Sequence, residues 1–397
     1  MHVYAQHGYG KSDYIEEGLR KGHIRGVVLS PRDEEPTTLA TFSDGLRKRF
    51  GGKATILMDP QFYVTTVSAG REGNLPDYPY YSPSLTRATF NPTKVQDFAR
   101  KVIDFQTRKL RVAKIVAPSV AFYDFSDPWS QISISLGQAA IDEVKALKRK
   151  EPLLVSLVFD EVALRNRTAL EEFLDVITAL DVHGFYVVVK PLDSDYPPSY
   201  EEDTLANLLY LCYTLADVND FEVVCGYSDL VGVLLHAVGV TATATGWFTN
   251  LRQFSFKRFQ PSEGGRQPRS RYTSYRLANS ILVTPELQSI FTAKRVASVL
   301  SGTPYDGVFK NSPDSVNWTR KLSCLHHWEV LRRLAEMASS QRTTTGNLDA
   351  VEEHLRTAIS EYDSLASVGV KFEAKSSKRN LVRWQSALGR FRSAVGV

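Results

Sequence analysis

Three carboxylates directly follow apolar runs in this 397-residue sequence: Asp59 in ATILMDPQF, and Asp160 and Glu161 in LLVSLVFDE. Carboxyl groups crowded into one poorly solvated place are driven to split their pKa values, so that one donates a proton while another stays ionised. These three are the candidate catalytic groups. Similar runs end in groups that could hold a substrate: Arg32 in RGVVLSPRD, Lys190 and Asp193 in FYVVVKPLD, Tyr227 in FEVVCGYSD and Trp247 in VTATATGW. Arg32 and Lys190 suit phosphate or sugar. Strand-end acids also serve to cap the next helix or to pair with Arg and Lys across a rim. Asp13 and Asp229, which directly precede helical stretches, are read as such caps.

A second constellation lies in NLRQFSFKRFQPSEGGRQPRSRYTSYR, where Arg252, Lys257, Arg258, Arg266, Arg269, Arg271 and Arg276 face Glu263 alone. Phe254, Phe256, Phe259, Tyr272 and Tyr275 are interleaved with them. Cations for a phosphodiester backbone and rings for stacked bases suit nucleic acid. Lys257, Arg258, Arg266, Arg269 and Arg271 are thus the candidate nucleic-acid-binding residues, with RNA or DNA as partner. The competing reading is a solvated loop whose aromatics pack on the body of the protein.

Other chemistries lack their signatures. There is no HExxH, no HxH at the first strand and no cysteine cluster, and His326 and His327 beside Cys324 read as packing residues, so no metal is expected. GxSxG and the P-loop are absent, and no cofactor is expected. Cys212, Cys225 and Cys324 are widely spaced, which suits a reducing compartment. No apolar run approaches the ~18 residues of a membrane span. The expectation is a cytoplasmic protein without membrane contact. A net charge of +4 permits an anionic partner without demanding one.

The runs that carry these groups number eight, starting at His2, Arg25, Ala54, Ala113, Leu153, Phe185, Phe221 and Val240. Helix-favouring stretches separate most of them. Strand then helix, eight times, predicts an α/β fold, a (β/α)8 TIM barrel, which gathers strand-end residues at one mouth. The predicted divisions are residues 1–250 for the barrel, 251–320 for the basic loop and barrel-closing helices, and 321–397 for a C-terminal helical extension. The long aromatic loop after the third strand is a candidate substrate loop.

ILMDPQF, a long loop and FNPTKVQDF together resemble tRNA-guanine transglycosylase barrels, in which a strand ending in an acid–base aspartate precedes a helix with a Thr-Pro-Glu-Lys-like start. The likeness extends over roughly residues 54–252 by order and spacing: CGYSDLVGVLLHAVGV is similar to the family's Gly-x-x-x-Asp-Leu helix. It implies action on a base–ribose bond, with Asp59 as the acid–base group. The family's nucleophilic aspartate falls at Ala244, its Gln-Gly-Gly stretch becomes Phe159-Asp160-Glu161, and of its zinc site only Cys324 with His326 or His327 remains. Three readings follow: a transglycosylase-like enzyme acting on nucleic acid or a nucleoside, an inactive barrel that binds nucleic acid or serves as a subunit of a larger assembly, and a glycosidase-like hydrolase with a carboxylate pair. An open mouth with Asp59 and Asp160 or Glu161 pointing in favours an enzyme. A mouth plugged by Phe159, Trp247 or the loop from Tyr78 to Tyr81 favours a binding subunit.

Overall fold

A computed structural model describes residues 1–67, 70–193, 195–261, 268–309, 313 and 317–397. The apolar runs form parallel strands: β1 (His2–Gln6), β2 (Gly26–Leu29), β3 (Thr55–Met58), β4 (Ile115–Val116), β5 (Ala121–Phe122), β6 (Leu153–Asp160), β7 (Gly184–Lys190), β8 (Glu222–Gly226) and β9 (Ala242–Thr245). Their order is β3-β2-β1-β9-β8-β7-β6-β4, with β5 also on β6. β4 and β5 are two halves of one stave. Val116 pairs with Leu154 and Ala121 with Val158, so the split stave gains one residue on its partner, as a bulge does. Pro118, which has no N–H to give a ladder, lies in the interruption. Eight parallel staves therefore make a (β/α)8 barrel.

The ring closes between β3 and β4, where the Ala113 N–H donates to the Ile56 carbonyl at 2.8 Å. The next residues on that seam find a different partner. The Gln106 side chain donates to the Val116 carbonyl at 2.7 Å and accepts from its N–H at 3.0 Å, in place of a strand.

Side-chain alternation divides each strand between two cores. Tyr4, Val28, Leu57, Val116, Leu154, Tyr186, Val224 and Ala242 fill the interior of the barrel. Val3, Val27, Ile56, Val155, Val187 and Val223 face outward onto the helices. Those are α1 (Ser12–Lys21), α2 (Pro36–Phe50), α3 (Pro92–Asp104), α4 (Pro128–Ala146), α5 (Arg167–Ile177), α6 (Glu202–Tyr213) and the short α7 (Gly232–Ala237). Their starts follow the sequence: Asn91 and Asp127 accept hydrogen bonds from the first-turn amides of α3 and α4, and Pro occupies the first turn of α2, α3 and α4.

Beyond β9, the segment read as a basic loop includes an antiparallel hairpin, β10 (Arg271–Ser274) and β11 (Asn279–Leu282). A short α8 (Gln288–Thr292) is followed by three long helices, α9 (Arg320–Ala338), α10 (Thr344–Ser367) and α11 (Arg379–Val395). α9 packs against α1, α7 and β1, the position of a barrel's eighth helix. α10 lies on α7 and α9, and α11 lies on α6. Trp384, Leu388 and Phe391 supply the buried face of α11. Among the described residues no helix is long and apolar enough to cross a membrane.

Candidate functional site

β3 delivers Asp59 to the inner surface of the barrel at its C-terminal end. Its side chain is only 1% exposed. One carboxylate oxygen accepts from the Gln61 N–H at 3.0 Å and the other from the Tyr63 hydroxyl at 2.9 Å. Gln61 takes a left-handed conformation (φ 53°) that turns its amide back onto Asp59. Burial pushes the Asp59 carboxyl up to about 6, against the pull of the Gln61 N–H, Tyr63, Arg258 and Tyr186.

A polar network runs from this residue to the rim. The Gln61 amide donates to the Ser30 hydroxyl at 3.0 Å, and Ser30 donates to Asp33 at 2.7 Å. Arg258 reaches inward to bond Asp33, and it donates to the Tyr227 hydroxyl at 2.9 Å. Arg32 donates to the other oxygen of Asp33 at 3.0 Å. Burial alone would raise the Asp33 carboxyl, but Arg258, Ser30, His7 and Arg32 together hold it below its ordinary value. Arg258 is therefore a buried counter-charge, which corrects its expected place on a solvent-facing nucleic-acid surface.

The other expected catalytic pair does different work. Asp160 caps the turn after β6 by accepting from the Val162 N–H at 3.0 Å, and it pairs with Lys190 at 2.5 Å. Glu161 is fully buried and accepts from the Leu192 N–H at 2.9 Å, the Glu201 N–H at 3.0 Å and the Thr204 hydroxyl at 2.7 Å. Burial raises its carboxyl, and those three donors oppose the rise. Glu161 thus ties the segment after β7 to the start of α6.

Several expected site residues lie away from the mouth. Trp247 turns outward into the helix layer, edge-on to Tyr14 and Trp328. Asp193 pairs with Lys375 of the C-terminal segment. Arg269 pairs with Glu373, and Arg271 donates to the Ser280 carbonyl at 2.7 Å and the Ser376 hydroxyl at 3.0 Å. Arg266 lies outside the described residues. Asp229 is not a helix cap: it is buried, at positive φ, and accepts from His327 (2.7 Å), Tyr196 (2.8 Å) and Thr245 (3.3 Å). Asp13 is no cap either, and pairs with Lys321 at 3.1 Å. His326 and His327 lie inside α9, bonded to Thr303 and Thr273 and to Thr273 and Asp229. Among the described residues no three of His, Cys, Asp and Glu are grouped to hold a metal.

The mouth is closed from above by Phe254 and Phe259, which join the interior cluster. The Tyr63 ring meets Phe254 edge-on at 5.3 Å and Phe259 at 6.2 Å, and Tyr227 meets Phe254 at 5.3 Å. Phe159, Tyr78 and Tyr80 belong to the outer layer instead. Gly246 allows the closing turn to sit down, since a Cβ there would stand 2.5 Å from Leu251 Cβ and 2.8 Å from the Gln6 carbonyl oxygen.

At the rim lies an open cleft of about 520 Å³, walled by residues that follow β1 and β2, by the segment from Phe248 to Gln260, and by Arg71 and Tyr196. Arg32, Arg71, Lys257 and Arg258 supply its positive charge, and Asp33 and Asp195 its negative charge. A second hollow of about 330 Å³ shares Gln253, Ser255, Lys257 and Gln260 with it and adds Lys190. Lys257 and Arg71 are exposed and make no ion pair with any described residue. Arg71 was not anticipated from the sequence, because nothing in the long loop after β3 marks it. Gln6 was missed as well, although a polar residue two positions after Tyr4 on a buried strand was the available signal.

No family model matches the sequence, and no curated protein matches it. Among solved structures the chain is similar to dihydrodipicolinate synthase from Bacillus clausii, at 11% identity over 100% of this chain and 98% of that one, with a TM-score of 0.25. It is similar also to dihydrodipicolinate synthase from Oceanobacillus iheyensis, at 10% identity over 99% and 96% of the two chains, with a TM-score of 0.24. Likeness at that level carries no weight, and the barrel rests on strand order and register.

Proposed function

We propose that this barrel is directed at nucleic acid, RNA or DNA: its cationic rim receives a phosphodiester backbone, and its interior presents Asp59 to a base–ribose bond. The observation that carries the reading is the pairing of two features at the C-terminal end of the strands. Exposed Lys257 and Arg71 stand with Arg32 around a cleft at the C-terminal end of the strands, where barrels of this type place their chemistry. Joined to the cleft through Gln61, Ser30, Asp33 and Arg258 is a buried carboxyl raised to about 6. Such a group keeps its proton below pH 6 and in a minor fraction of molecules at neutral pH, and can pass it to a departing base. The resemblance to transglycosylases assigns Asp59 the same role. Ala244, at the position of that family's nucleophile, forms no bond to ribose. We infer that the base–ribose bond breaks by direct attack of water or an incoming base on the sugar carbon, with the Asp59 proton going to the leaving base and the proton of the attacking group passing to solvent.

A second reading is capture without turnover, as a nucleic-acid-binding or assembly subunit. It is favoured by the plug of Phe254 and Phe259 over the interior. The two readings share the rim and part at the chemistry. Binding of labelled oligonucleotides measured against salt tests the rim. Arg71→Ala and Lys257→Ala should each reduce the slope of log affinity against log salt by about 1. Unchanged slopes in both variants would remove nucleic acid from the rim. Base release from the same oligonucleotides then separates enzyme from binder: release that disappears in Asp59→Asn supports the enzyme, and none by the wild type supports the binder.

A further inference from the structure

Gln6 is wholly buried, yet neither the oxygen nor the nitrogen of its amide has a hydrogen-bond partner among the described residues. It stands two residues beyond Tyr4 on β1, hence on the same inner face of the barrel and one layer nearer the mouth. Tyr186, on the inner face of β7, is buried too, and its hydroxyl makes no hydrogen bond of good geometry. It stands near enough to Asp59 to favour the ionised carboxylate. Other polar groups on this surface are satisfied: Asp59 by Gln61 and Tyr63, and Ser30 by Gln61, Asp33 and Arg258. Buried amides are almost always paired, because losing water without gaining a partner is costly. An unpaired amide and a phenol whose hydroxyl leans only on the Asp59 carboxyl face one interior, and together they form a set of donors and acceptors open to a recipient.

The chemistry of that set points to a flat heterocycle. A glutamine amide offers an acceptor beside donors in one plane, and it meets a partner whose edge carries a donor next to an acceptor. The walls are aromatic, with Tyr63, Tyr227 and Phe254 around Asp59, which suits a stacking plane better than a sugar. Resting on the nucleic-acid reading above, we propose that Gln6 and Tyr186 form the base-reading pair of this barrel. They would receive a single nucleobase that is extruded from its strand and seated in place of the Phe254 ring. Gln6 reads the donor–acceptor edge, Tyr186 adds one hydrogen bond, and Asp59 meets the ring nitrogen.

Calorimetric titration of the full chain with adenine, hypoxanthine, uracil and cytosine, each as the free base, tests the assignment. At least one base should bind, and Gln6→Leu and Tyr186→Phe should each weaken it tenfold or more. Urea denaturation provides a readout that needs no ligand: Gln6→Leu should raise the unfolding midpoint, because it removes an unpaired amide from an apolar interior. A lower midpoint would mean that the amide has a partner in the protein and would overturn the proposal. So would unchanged base affinity in both variants, or a wild type that binds oligonucleotides but no free base. A wild type that binds a free base but no oligonucleotide supports the pocket and overturns the nucleic-acid reading instead.

Discussion

Two buried carboxylates carry opposite pH signatures. Asp59 has a folded-state pKa of about 6, above its unfolded value, so the folded chain holds the extra proton between them. Its contribution is present at low pH and fades as pH rises through about 6, by something like 3 kcal/mol. Asp59→Asn should flatten that part of the stability profile and raise the urea midpoint at pH 8 relative to wild type, while abolishing any base release. A variant less stable than wild type at pH 8 would contradict this account of Asp59. Asp229 has the other sign. Burial raises it, but His327, Arg252 and Tyr196 bring it below its ordinary value, so its stabilisation is present above the unfolded carboxylate pKa and is lost as acid protonates it. Glu161→Gln would place an amide nitrogen against one of three donors that now meet carboxylate oxygens. A loss of about 2 kcal/mol is expected from equilibrium unfolding, with salt-dependent nucleic-acid binding intact. Of these residues, Asp59 was legible because one acid directly followed an apolar run. Glu161 satisfied the same rule and does a different job, because the rule cannot say which loop will fold back to supply donors.

At the scale of elements, α9 is secured to the barrel through its histidines. The His327 imidazole is hydrogen-bonded through Nε2 to Asp229 and through Nδ1 to the Thr273 hydroxyl, so one ring links the turn after β8, β10 and α9. Trp328 adds an indole N–H to the Thr245 carbonyl at 3.0 Å. Asp229→Asn turns an amide nitrogen toward donors that now meet a carboxylate, and about 1–3 kcal/mol of stability should be lost, measured as a fall in the thermal midpoint. The helix periods and the VVVK-like strands were readable because each obeys one local rule. The split of β4 from β5 was not, since it depends on a bulge and on a distant side chain completing a ladder. The hairpin of β10 and β11 was hidden by its charge: Arg271 belongs to a short strand whose guanidinium turns back to Ser280. The basic segment read by composition alone as one surface thus divides into a buried counter-charge at Arg258, a structural strand at Arg271 and an exposed cation at Lys257.

For the whole molecule, the eightfold order of strand and helix was sufficient to give the barrel, because parallel staves buried on both faces have few other ways to close. What order alone could not give was the state of the mouth, which depends on where a late segment lays its rings. Closure itself has an uneven quality. Seven joints around the cylinder are backbone ladders, while the eighth relies on one amide from Ala113 and on the carboxamide of Gln106 standing in for a neighbouring chain. A wall stitched mostly by backbone and fastened along one edge by a side chain has a preferred line of parting. Hydrogen exchange should find it: Gln106→Ala should speed exchange at the Val116 amide at least tenfold while the β6–β7 amides keep their protection. The cylinder would then be seen to part along this edge while its opposite wall stays intact, one side chain deciding where the whole circumference yields first.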